Sequence, residues 1–276
     1  MAESNTDKAW IAKELSWLSF NDRVLQEAAD PSVPIIQRIR YLGIFSNNLD
    51  EFFRVRVADV RRLAAFSTPS KQEEYKQLLE EIRQKVLKLQ HRFESTYNAN
   101  LKELRRRKIY VINEKQLDDS QIEYVRNYFH ANIQQELVPI VLDEANPMPE
   151  LNDASIYLAI KLSYQGQTRF ALLEVPTTRI ERFVRIPGRN GKKGKVLIAL
   201  ENMIRVCLPQ VFRGVFPLDS AEAYTIKLTR DAELELGEEV TQTFVEKMTQ
   251  SLKRRRKGDP VRFVYDAQMP NDMLEY

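Results

Sequence analysis

Histidine and cysteine are nearly missing from this 276-residue chain, which has two of the first and one of the second. A lone cysteine builds no disulfide framework, so a reducing compartment is expected. Cys207 lies in "ENMIRVCLPQ", on what reads as an apolar helix face, and is expected to be a packed thiol rather than a reactive one. Neither His91 nor His130 has a Cys or a second His at ligand spacing, which leaves no readable zinc site. Glycine is scarce too, at eight residues, and neither GxxxxGKS/T nor GxGxxG occurs. The GxSxG elbow and a Cys–His constellation are also absent. No stretch approaches the roughly 18 apolar residues of a spanning helix. The start, "MAESNTDKAW", lacks the basic-then-apolar order of a signal peptide. The chain therefore reads as soluble and cytoplasmic. Its net charge of +3 is too small to argue for nucleic acid.

What is present is a globular balance, 43% apolar and 29% charged, in a length that suits one or two domains. Two textures divide it. From residue 20 the pattern is helical. "NDRVLQEAAD" opens with Asn21 as a helix cap, and Pro34 suits the first turn of the next helix. A long helix is expected from Lys71 to Arg107, about 55 Å at 1.5 Å per residue. Its seam is Tyr75, Leu79, Ile82, Val86, Leu89 and Phe93, stepping by 4, 3, 4, 3 and 4. Arg105, Arg106, Arg107 and Lys108 then suit a solvated end that complements the helix dipole, or a phosphate site.

After Lys108 short β-type runs appear. "IYVIN", "RFVRIP", "KVLIAL", "AYTIKLTRD" and "VRFVYD" are candidate strands, and "SIYLAIKLSY" with "TRFALLEVP" reads as a hairpin about "QGQ". Helices are expected over "DDSQIEYVRNYFHANIQQEL", capped by Asp or Ser, over "ENMIRVCLPQVF" and over "GEEVTQTFVEKMTQSLKRRRK". The expected fold class is α+β: an all-α helical bundle over 1–107, then an α+β domain over 108–276 with an antiparallel sheet and helices set on it. Two basic stretches, "GRNGKKGK" with Arg189, Lys192, Lys193 and Lys195, and "LKRRRKG", suit a solvated loop and a helix end, or phosphate oxygens. Neither interleaves aromatic residues as a nucleic-acid stacking surface does. "PNDMLEY" starts a helix and leaves it cut, the pattern of a longer protein.

The stretch "GIFSNNLDEFFRVRV" stands apart. Asn48 with Glu51, or Asn47 with Asp50, has the spacing of a capping box, and both acids suit a helix N-terminus. Only one asparagine can be the cap. The other carboxamide can donate and accept, which suits the edge of a nucleobase or a sugar hydroxyl.

"KELSWLSFNDRVLQEAAD" followed by "IRYLGIFSNNLDEFFRVRVADVRR" resembles the start of bacterial polyphosphate kinases of the first, histidine-dependent family. "FALLEVP", "KLTRDAELEL" and "PVRFVYDAQMP" extend the resemblance, in order, over nearly the whole chain. It implies an N-terminal helical domain and a head domain similar to lipid-binding PX modules. Two catalytic domains similar to phospholipase D would follow outside this chain. The implied reaction is reversible transfer of the terminal phosphate of ATP to inorganic polyphosphate, through a phosphohistidine and with Mg²⁺ bound by those catalytic domains. Asn48 is the implied nucleotide contact, which leaves Asn47 with Asp50 as the cap. His91 and His130 match no family motif, so no catalytic residue is expected here and this chain alone should be inactive. ATP, ADP and polyphosphate are the implied partners, in a homo-oligomer that is cytoplasmic or peripheral at the inner membrane face. The competing reading is a non-catalytic dimerisation or polyanion-binding module.

Overall fold

The computed structural model describes residues 12–143, 148–153, 155–188, 194–214, 218–232 and 258–276. The chain divides into two compact units, Met1–Glu103 with Asp231–Glu233, and Leu104–Arg230 with Leu234–Tyr276.

The first unit is helical. Helix α1 runs Lys13–Ala29, α2 Ile35–Phe52, α3 Ala58–Phe66 and α4 Pro69–Arg106. Between α2 and α3 the chain does not leave the helix but widens into a π-helical turn, Phe53–Val57. The core takes Leu18, Leu25 and Ala28 from α1, Leu42, Phe45, Leu49 and Phe52 from α2, and Ile82, Val86 and Leu89 from α4. The last three belong to the expected seam, and the long helix lies within two residues of its expected ends.

Two cap assignments do not hold. Asn21 is not a cap. It lies inside α1, fully buried, on the seam of Leu18, Leu25 and Ala28. Neither Asn47 nor Asn48 starts a helix, because α2 passes through both. The apolar face Ile35, Ile39, Leu42, Phe45, Leu49, Phe52 is unbroken across them, and burial of that face outweighs the local preference of asparagine for a cap. Asp50 is a buried residue near the end of α2, and Glu51 pairs with Arg54 at 3.3 Å.

The second unit is α+β. Lys108 takes a left-handed conformation (φ 60°), which stops α4 and turns the chain into strand β1, Ile109–Ile112. Helix α5, Asp119–Tyr128, has Asp118 as N-cap and a full capping box with Gln121. The remaining strands are β2 Ile140–Leu142, β3 Ile156–Tyr164, β4 Gln167–Glu174, β5 Phe183–Ile186, β6 Lys195–Ala199, β7 Ser220–Arg230 and β8 Pro260–Tyr265. Short helices α6 Leu200–Val206, α7 Leu208–Val211 and α8 Asn271–Leu274 are the other described α-helices.

Among the described residues the strands form a five-stranded antiparallel sheet, β2-β4-β3-β7-β8, and a three-stranded sheet, β1-β6-β5. The β3–β4 hairpin turns at Gln165 (φ 46°) and Gly166 (φ 77°), the two positive values that a tight primed turn needs. In the smaller sheet β1 and β6 run parallel, although the runs were expected in an antiparallel sheet. That pairing begins where Lys195 donates its N–H to the Lys108 carbonyl at 2.8 Å. Gly194 makes the approach feasible: a Cβ there would lie 2.9 Å from the Lys108 carbonyl oxygen and 2.8 Å from the Tyr110 ring. The main core gathers Leu158, Ile160 and Leu162 of β3 with Phe129, Ile198, Met203 and Phe212. Tyr157, Ala159, Leu172, Ile226 and Leu228, on the opposite face of the larger sheet, pack with Met269 and Met273.

Candidate functional site

On α1, Trp17 and Asn21 are four residues apart and share a face. On α2, Phe45, Asn48 and Phe52 do the same at three and four residues. The two faces meet. Trp17 stacks on Phe52 with ring centroids 4.8 Å apart and planes at 15°. Phe45 stacks on Phe93 of α4 at 5.5 Å. Between these aromatic contacts lies a short polar chain: Asn48 Nδ2 donates to Asn21 Oδ1 at 3.1 Å, and Asn21 Nδ2 donates to the Phe45 carbonyl, also at 3.1 Å. Nearby, Asp22 on α1 accepts from Arg92 Nη1 of α4 at 2.6 Å.

The two asparagines of the motif therefore differ in kind. Asn47 is exposed, while Asn48 is half-buried beside the π-turn and held by Asn21. Asn48 Oδ1 accepts no hydrogen bond among the described residues. A carboxamide whose nitrogen is engaged and whose oxygen is open can accept a hydrogen bond from a ligand. π-turns recur at functional sites because they widen the helix and redirect the side chains that follow. The residue that sequence reasoning missed is Asn21. Its spacing carries half of the signal: a polar side chain in step with Leu18, Leu25 and Ala28 is buried and needs partners, but nothing local says which partners.

The remaining candidates fall elsewhere. His91 is exposed on α4. His130 is exposed with Nδ1 2.8 Å from Gln134 Oε1. Arg189, Lys192 and Lys193 of the basic stretch, and the helix with a basic end expected over 237–257, lie outside the described residues. Arg105 and Arg106 occupy the last turn of α4. Among the described residues no three His, Cys, Asp or Glu side chains converge as metal ligands, and no helix is long and apolar enough to cross a membrane.

Cys207, between α6 and α7, is fully buried, and burial pushes its thiol up from the ordinary 9.0 to about 11. Because the folded value is raised, its contribution to stability is present below about 9 and fades as pH rises through 11. At pH 8 the native thiol is expected to resist iodoacetamide and to react once the chain is unfolded in urea. Mass spectrometry of alkylated native protein would check this, and rapid native labelling would contradict the packed-thiol assignment.

The chain is similar to known proteins over nearly its whole length. The model of the polyphosphate kinase N-terminal domain matches residues 10–112, and that of the polyphosphate kinase middle domain matches residues 120–276. The polyphosphate kinase of Vibrio vulnificus (strain YJ016) is 46% identical over 274 residues, 99% of this chain and 39% of its own length. That of Escherichia coli (strain K12) is 43% identical over 271 residues, 98% of this chain and 39% of its own. The crystal structure of polyphosphate kinase from Porphyromonas gingivalis superposes with a TM-score of 0.76 at 30% identity. It covers 97% of this chain, which matches 37% of that one. The chain thus spans about two-fifths of the length of the curated relatives it matches.

Proposed function

Since this chain belongs to the polyphosphate kinase family, we propose that it forms the nucleotide-holding N-terminal part of an enzyme that moves the terminal phosphate of ATP reversibly onto inorganic polyphosphate. The phosphohistidine that carries the phosphate belongs to domains outside this chain. In this reading Mg²⁺ is held by those domains as well. The helical domain, 1–107, supplies one wall of the nucleotide pocket. The head domain, 108–276, serves assembly of a cytoplasmic homo-oligomer.

The observation that carries this reading is the half-buried Asn48, whose oxygen is open while its nitrogen is tied to Asn21. Asn48 meets the adenine nucleoside and contributes by placement. Transfer of a phosphoryl group asks the protein mainly to position and to stabilise charge. A contact to the base, far from the reacting phosphate, binds substrate and transition state alike and therefore sets KM rather than kcat. In the full-length kinase, Asn48→Ala is expected to raise the KM for ATP about tenfold with kcat little changed, the loss of one hydrogen bond worth about 1.4 kcal/mol. Steady-state kinetics at varied ATP measures this, and an unaltered KM would remove Asn48 from the pocket.

A further inference from the structure

We propose that Asn21 is a positioning residue that locks the carboxamide of Asn48 nitrogen-inward, so that the pocket reads the base as a hydrogen-bond donor at position 6 of a purine. The inference rests on the reading that Asn48 faces the nucleoside.

The Phe45 carbonyl can only accept, so the atom of Asn21 that meets it at 3.1 Å has to be Nδ2. That choice turns Asn21 Oδ1 toward Asn48. An oxygen there can only accept, so Asn48 has to offer Nδ2, which it does at 3.1 Å. Turning the Asn48 amide over would set two carbonyl oxygens face to face. Asn21 is fully buried, so no water would relieve the clash or replace the lost partner. A helix carbonyl thus dictates, through two side chains, that Asn48 turns Oδ1 outward.

The outward group is an acceptor, and this has a consequence for choice of substrate. Adenine carries an amino group at position 6 and satisfies Oδ1. Hypoxanthine and guanine carry an oxygen there and oppose it. A site built around a buried, pre-oriented polar group discriminates against the analogue that leaves it unpaired more sharply than an apolar pocket discriminates by size. Asn48 alone, free to turn over, would accept either edge. The discrimination belongs to the pair Asn21–Asn48, and the second member never touches the nucleotide.

The test compares ATP with ITP, whose base has an oxo group in place of the amino group at position 6 and a proton on N1, in the full-length kinase. The wild type is expected to show a KM for ITP at least tenfold above that for ATP. Asn21→Ala is expected to bring the two KM values to within about threefold of each other. A purely structural role for Asn21 would lower the melting temperature and leave the ITP-to-ATP ratio where it was, and that result would overturn the proposal. If Asn48→Ala changes neither KM, the nucleotide reading itself fails. If Asn48→Ala weakens ATP while Asn21→Ala preserves the ratio, only the positioning role fails. A second measurement needs no variant. In this chain, one Asn48 side-chain N–H is expected to exchange with solvent at least tenfold more slowly than those of exposed Asn47, read by NMR. Equal exchange at the two asparagines would overturn the lock.

Discussion

Phe52→Ala is expected to lower the stability of the helical unit by about 3–5 kcal/mol, the range for removal of a buried phenylalanine. The ring is 1% exposed and lies against two others, Trp17 at 4.8 Å and Phe53, edge-on, at 6.0 Å. Its removal opens a void among side chains of α1, α2 and α4, whose helical backbones are too stiff to collapse into it. The stacked pair with Trp17 is lost as well, which is worth about 0.5–1.5 kcal/mol beyond area. Urea unfolding followed by tryptophan fluorescence reports the change, because Trp17 is one of only two tryptophans in the chain. A loss below about 1 kcal/mol would mean that this contact is not part of the core.

Asn100→Ala is expected to cost about 2–4 kcal/mol, although it deletes only a small polar group. Asn100 is 1% exposed on α4. It donates Nδ2 to the Ala28 carbonyl at 3.0 Å, one of the last-turn carbonyls that α1 leaves without a helical partner. It accepts from Arg38 Nη1 of α2 at 3.4 Å. The alanine variant strands a buried carbonyl and leaves the guanidinium of a 9% exposed arginine short of an acceptor. A double-mutant cycle separates the two losses. With Arg38→Met in the background, Asn100→Ala should cost clearly less, because the charged partner is already gone. Equal costs in both backgrounds, by urea melts, would dissolve the Arg38–Asn100 link.

Features with a local signature were legible in the sequence. The seam of α4 could be read because each of its residues is three or four positions from the next. The β3–β4 hairpin could be read because Gln165–Gly166 interrupts two alternating runs. The start of α5 could be read because Asp and Ser, both cap formers, precede its apolar residues, and Asp118 is the cap. Features made by distant partners were not legible. Asn21, and one of the pair Asn47 and Asn48, looked like caps because cap preference describes an asparagine and its own backbone. The actual partners of Asn21 and Asn48 are 24 and 27 residues away. The parallel pairing of β1 with β6 joins Ile109 to Lys195 across the whole of the larger sheet's first three strands. The three-residue β2 carries too short a pattern to be read as a strand. As for the site, residue chemistry singled out a pair of asparagines, and only the family resemblance chose between them. The contrast between the two, Asn47 exposed and Asn48 tethered to Asn21, needed the fold.

The π-turn at Phe53–Val57 makes α2 and α3 one continuous rod with a built-in phase change. A wider turn holds one residue more than an α-turn, and each residue of an α-helix advances by about 100°. Shortening this segment by a single residue would keep the rod hydrogen-bonded yet rotate everything beyond it by about a quarter turn. Asn48 and Phe52 would keep their faces, while Val57, Ala58 and Val60, all buried, would swing out of alignment with them. Length between Phe52 and Ala58 is therefore under tighter constraint than the identity of the residues that fill it, and a one-residue deletion there should be worse tolerated than most substitutions.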